Sequence, residues 1–66
     1  MKKEFIKIGE DRIRISTIKK YSPNGSNRLN VYFNVSRDKI EVATYPFDTE
    51  SKRDDMLNQL DTIFGV

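Results

Sequence analysis

Asp48-Thr49-Glu50-Ser51-Lys52-Arg53-Asp54-Asp55-Met56-Leu57-Asn58-Gln59-Leu60-Asp61-Thr62-Ile63-Phe64-Gly65 is the stretch on which the fold turns. Met56, Leu57, Leu60, Ile63 and Phe64 fall at i, i+1, i+4, i+7 and i+8, an apolar stripe at the 3.6-residue period. Asp54, Asp55, Asn58, Asp61 and Thr62 lie on the opposite side. Asp48 or Thr49 is placed to cap the first turn, and Glu50 adds a carboxylate at the positive end of the dipole. Gly65 suits the left-handed residue that closes a last turn. The spacing predicts a helix over about residues 49–64. Arg53-Asp54 reads as a pair of surface charges, with the Arg53 stem lying along the edge of the stripe. One apolar stripe needs a partner layer, which the residues before it must supply.

Those residues alternate at a period of two. Leu29, Val31, Phe33 and Val35 point one way, and Asn30, Tyr32 and Asn34 the other. Ser36-Arg37-Asp38-Lys39 turns the chain into Ile40-Glu41-Val42-Ala43-Thr44-Tyr45, which Pro46, lacking an N–H, brings to an end. Upstream, Phe5-Ile6-Lys7-Ile8 reaches a tight turn at Gly9-Glu10-Asp11, and Arg12-Ile13-Arg14-Ile15-Ser16 alternates charge with branched apolar side chains. The phase then slips, and a bulge near Ser16-Thr17 would return Ile18 and Tyr21 to the core side. Ser22-Pro23-Asn24-Gly25-Ser26-Asn27 is a loop signal with Asn-Gly at its centre.

The expected fold is α+β: a four-stranded antiparallel β-meander with strands at about 4–8, 12–21, 28–35 and 39–45, followed by one C-terminal helix packed on one face. Residues 1–66 form a single domain in this ββββα reading. Its core is Ile6, Ile8, Ile13, Ile15, Ile18, Leu29, Val31, Phe33, Val35, Ile40, Val42, Met56, Leu57, Leu60, Ile63 and Phe64.

Composition narrows the chemistry. A 66-residue chain buries only about 60% of the surface its unfolded form exposes, so such domains lean on disulfides, metals or self-association. There is no cysteine, which removes disulfides, thiolate zinc sites and cysteine nucleophiles; there is no histidine, the commonest general base and metal ligand. Self-association is the remedy left, and a homodimer is expected. Residues 1–46 carry ten Lys/Arg and five Asp/Glu, whereas residues 47–66 carry two and five. The basic part suits an anionic partner, although mixed surface charge for solubility accounts for it as well. The basic start Met1-Lys2-Lys3 leads into no apolar run of signal length, and nothing approaches the ~20 apolar residues of a membrane span. A cytoplasmic protein with no membrane partner is expected.

With the helix on one face, parity places Phe5, Lys7, Arg12, Arg14, Asn30, Tyr32, Asn34, Glu41, Ala43 and Tyr45 on the other. Three readings fit this face. It is a protein or dimer interface, where Tyr and Arg are enriched. It is a single-stranded nucleic-acid platform in which Tyr32 and Tyr45 stack on bases while Lys7, Arg12 and Arg14 follow phosphates. Or it is plain structure, with the two tyrosines as a cross-strand pair. Lys19, Lys20 and Arg28, around the Asn-Gly loop, suggest a basic hairpin tip or merely a solvated turn. Catalysis finds no footing. Asp54 and Asp55 diverge by about 100° on a helix, Glu10-Asp11 is turn chemistry, and no phosphate loop, dinucleotide fingerprint or nucleophile elbow occurs. No enzyme activity, cofactor or metal is expected.

Phe5-Ile6-Lys7-Ile8, Arg12-Ile13-Arg14-Ile15-Ser16, Ile18 and Tyr21, then Tyr32-Phe33 and Phe47-Asp48 entering a helix with Met56-Leu57 and Leu60, cover most of the chain. This pattern is similar to short proteins of bacteriophages and mobile elements. The resemblance implies a phage-encoded inhibitor or modulator of a host factor, acting by binding in the host cytoplasm, or a protein that sequesters a nucleotide. The layout also resembles the single-stranded-DNA-binding domain of the positive cofactor four family, a four-strand meander and one helix working as a dimer, without that family's Gly-rich basic hairpin. The expected function is a small non-enzymatic protein-binding module. Single-stranded nucleic-acid binding and nucleotide sequestration are the alternatives.

Overall fold

A computed structural model describes residues 4–66; Met1, Lys2 and Lys3 lie outside the described residues. The order of elements is β1 (Phe5–Ile8), β2 (Asp11–Arg14), a 3-10 turn (Ile15–Thr17), β3 (Ile18–Asn24), β4 (Arg28–Ser36), β5 (Lys39–Pro46) and α1 (Glu50–Phe64). The class is α+β with antiparallel strands and one C-terminal helix. The expected single four-stranded meander is corrected to five strands in two sheets, a β1-β2 ribbon and a β3-β4-β5 sheet.

The division falls where the apolar phase slips. The Thr17 hydroxyl donates to the Arg14 carbonyl at 2.7 Å, a local bond that competes with a strand ladder, and Ile15–Thr17 folds into a single 3-10 turn. The expected strand at 12–21 is therefore two strands meeting at a corner. A bulge does occur, but at Lys19, the extra residue between the pairs Ile18↔Phe33 and Lys20↔Tyr32. Together the corner and the bulge bury Ile18 and bring Tyr21 across from Val31 on the core side.

A second bulge governs β5. Ser36 pairs with Lys39, but Asn34 pairs with Ile40, so Val35 is the extra residue. A one-residue slip moves every side chain of a strand to the other face. Leu29, Val31 and Phe33 consequently share their face with Tyr45, Ala43 and Glu41, while Ile40 and Val42 stand on the opposite face with Asn34 and Tyr32. This corrects three expected core residues: Val35, Ile40 and Val42 are exposed.

The core is Ile6 and Ile8 from β1, Ile18, Leu29 and Val31 from the three-stranded sheet, and Leu60 from α1. Ile13, Ile15, Phe33, Met56, Leu57 and Ile63 pack around it, as expected, and Tyr21, Tyr45 and Phe47 add to it. Phe64, expected inside, is 39% exposed. It sits on the last helical turn, where its ring meets Tyr21 at 5.8 Å between centroids.

The helix is capped as its sequence suggests. The Thr49 hydroxyl accepts from the Lys52 N–H at 3.1 Å, and Glu50 occupies the first turn. Gly65 takes a left-handed φ of 72°, and the Val66 N–H donates to the Asp61 carbonyl at 2.8 Å. Arg53 is not a surface charge: it is 6% exposed. Its Nη1 donates to the carbonyls of Arg28 at 3.0 Å and Gly25 at 3.3 Å, and its Nε donates to Asp54 at 2.9 Å. A guanidinium satisfies several acceptors at once, so α1 is fastened to the β3–β4 turn by its own side chain.

Candidate contact surfaces

The residues expected on one uncovered face occupy three places. Lys7, Arg12 and Arg14 project from the ribbon. There Phe5 pairs with Arg14 and Lys7 with Arg12, on the face turned away from buried Ile6 and Ile8. The Arg14 guanidinium carbon lies 4.9 Å from the Phe5 ring centroid, within cation–π range.

Tyr32 lies on the open face of the three-stranded sheet. The Lys20 ammonium sits 4.7 Å from its ring centroid, and Val42 stands opposite it on β5. The rest of this face is polar and internally bonded. Thr44 donates to the Asn30 side-chain oxygen at 2.8 Å, and the Asn24 amide donates to the same oxygen at 3.3 Å. Ile40 and Val42, 47% and 55% exposed, are its apolar part.

Tyr45 is on the core side, across from Leu29. Its hydroxyl donates to the Asp11 carboxylate at 3.0 Å, and its ring lies against Gly9, so it ties β5 to the ribbon's turn. Tyr21 makes an equivalent tie, donating to Asp61 at 2.7 Å and joining β3 to α1. Burial, with the carboxylate hydrogen bond adding to it, pushes both phenols from the ordinary 10.0 up to about 12. Both tyrosines are therefore neutral hydrogen-bond donors at physiological pH. Tyr32 and Tyr45 do not form a stacking pair, because the sheet lies between them.

The basic hairpin tip does not assemble either. Lys19 and Lys20 are at the start of β3, whereas Arg28 faces Asn24 at the far end of the strand pair. Asn24 lies four positions along the strand from Lys20, a distance of about 13 Å.

The two edges of the sheet differ. On β3 the ladder is broken by the Lys19 bulge, and Pro23 lacks an N–H. Both features discourage pairing by another strand. On β5 the register runs unbroken from Ile40 to Pro46, and among the described residues no strand pairs with its outer side.

An open cleft of about 410 Å³ lies between the start of β3 and the end of α1, lined by Ile18, Lys19, Lys20, Tyr21, Asp61, Phe64 and Val66. Its charged side chains are Lys19, Lys20 and Asp61, and the Asp61 carboxylate accepts from Tyr21. Among the described residues no group of His, Cys, Asp or Glu is arranged to hold a metal ion, and no helix is long and apolar enough to cross a membrane. No protein-family model, curated protein or solved structure matches this chain.

The exposure of Ile40 and Val42 and the ties Tyr21–Asp61 and Tyr45–Asp11 were not anticipated from the sequence. The first follows from a bulge that no glycine or proline marks. The ties join residues 40 and 34 positions apart, a separation that periodicity does not register.

Proposed function

We propose that this chain is a non-enzymatic protein-binding module that self-associates, with the free edge of β5 and the adjoining open face as its contact surface. The observation that carries this reading is the exposure of Ile40 and Val42 beside an unpaired, unbroken edge strand. Exposed apolar groups next to an unprotected edge favour strand addition, in which main-chain hydrogen bonds supply affinity and side chains supply selectivity. Antiparallel pairing of two β5 strands converts two three-stranded sheets into one of six strands. It also brings the two Ile40/Val42 patches side by side on the open face, where each shields the other from water.

The tyrosine–carboxylate and arginine–carbonyl bonds hold elements of the fold together, a structural use of these groups that favours binding over catalysis. A host-factor partner of the kind implied by the phage resemblance would engage this same edge.

Light scattering on the eluting protein tests the reading. The expected mass is twice 7.7 kDa, falling to 7.7 kDa in an Ile40→Lys, Val42→Lys variant. A wild-type monomer at high micromolar concentration rejects self-association.

A further inference from the structure

The outer face of the β1-β2 ribbon is a surface separate from the β5 edge. Its side chains are Phe5, Lys7, Arg12 and Arg14, arranged as two cross-strand rungs, Phe5↔Arg14 and Lys7↔Arg12. Three of the four are cations. The ribbon's own carboxylate, Asp11, is drawn to the other face, where it accepts from Tyr45. Glu4 precedes β1 and Glu10 lies in the connecting turn, so both flank the rungs. Among the described residues, Lys7, Arg12 and Arg14 make no ion pair. Phe5, an aromatic at the end of this basic row, is 47% exposed although Arg14 lies over its ring.

We infer that this ribbon face binds single-stranded nucleic acid, with a base stacked against Phe5 and Arg14 and phosphates neutralised by Lys7 and Arg12. Size favours this partner over a folded protein. A four-residue ribbon is about 13 Å long and two strands wide, far short of the roughly 800 Å² that a stable protein interface covers on each partner. A few nucleotides of a single strand fit that length. The chemistry agrees, since single-strand binding combines a row of cations with a ring or guanidinium plane that accepts any base. This assignment involves neither Tyr32 nor Tyr45 and does not depend on self-association through β5.

The test is fluorescence anisotropy of a labelled oligothymidylate at about 50 and about 200 mM salt, a range in which two phosphate contacts weaken binding roughly sevenfold. Arg12→Gln should reduce the salt slope by about 0.7, the contribution of one single-strand phosphate. Phe5→Leu should weaken binding at least about fivefold at both salts with the slope kept, as loss of base stacking requires. Lys52→Gln, which removes a cation on α1, should bind as the wild type does. Circular dichroism and Tm confirm that each variant is folded.

Absence of binding at the lower salt overturns the inference. So does equal loss in Lys52→Gln and Arg12→Gln, which would indicate attraction by net charge alone. Equal affinity for labelled poly-glutamate also overturns it, and would assign the face to an acidic protein segment.

Discussion

Tyr32 and Val42 are direct cross-strand partners on the face of the three-stranded sheet that the helix leaves open, and the Lys20 ammonium lies 4.7 Å from the same tyrosine ring. This cluster is stabilised from within while its apolar part remains in contact with solvent. Tyr32→Ala removes both the cross-strand contact and the cation–π contact, and should lower stability by about 1–2 kcal/mol in urea unfolding. Val42→Thr should stay within about 0.5 kcal/mol of wild type, because the site is exposed in the single copy. A core-sized loss for Val42→Thr at low concentration would place this residue in a buried environment and contradict the register.

Arg53 offers a sharper contrast. Truncation to Ala leaves the carbonyls of Arg28 and Gly25 without their donor and removes a buried stem, a loss of roughly 2–4 kcal/mol. Arg53→Lys should recover little, since one ammonium does not reproduce the planar fork that reaches both carbonyls and Asp54. Urea midpoints of the two variants decide this; a lysine variant as stable as wild type would mean that charge, and not geometry, matters here.

The two tyrosine–carboxylate ties make stability fall at alkaline pH. Each phenol has its pKa raised from 10.0 to about 12 in the folded chain, so the folded state holds its proton more tightly than the unfolded one. The stabilisation is complete below pH 10 and is lost as pH rises from there through about 12. Tyr21→Phe and Tyr45→Phe should each flatten that alkaline decline, and together remove most of it. Unfolding midpoints measured across this range give the answer. An unchanged decline in the double variant would assign it to other groups.

Gly9 joins the ribbon's strands at a φ of 61°, with the Tyr45 ring 3.6 Å from where a Cβ would stand. Gly9→Ala should cost about 1–2 kcal/mol from the left-handed backbone alone, and Gly9→Asn less, because Asn tolerates that region better. Thermal unfolding of the two variants should rank them in that order. Equal losses would point to contact with Tyr45 as the cause.

Much of the architecture was legible because it rests on local periodicity. The helix from Thr49 to Gly65 shows its cap and its stop where the residues place them, and Met56, Leu57, Leu60 and Ile63 of its stripe pack inward while Phe64 does not. Ile6, Ile8, Leu29 and Val31 are equally plain from alternation, and Leu60 from the helical stripe. What parity could not carry was continuity across two turns. The Thr17–Arg14 bond creates a corner, and the extra residue Val35 reverses β5, so every inference that extended one strand's parity into the next failed at those points. Tyr45 lies on the core face for that reason, and the residues that parity places on one face occupy three smaller surfaces. The burial of Arg53 is not legible locally, because the carbonyls it serves, those of Arg28 and Gly25, lie 25 and 28 residues away.

Amide hydrogen exchange along β5, followed at low and high protein concentration, tests the proposed contact surface most directly. If two copies pair through this edge, the amides of Ile40–Tyr45 that point away from β4 gain protection as concentration rises, while those on the outer side of β3 do not. Exchange along β5 that is fast and independent of concentration would contradict the account, even if the protein proved dimeric through another surface.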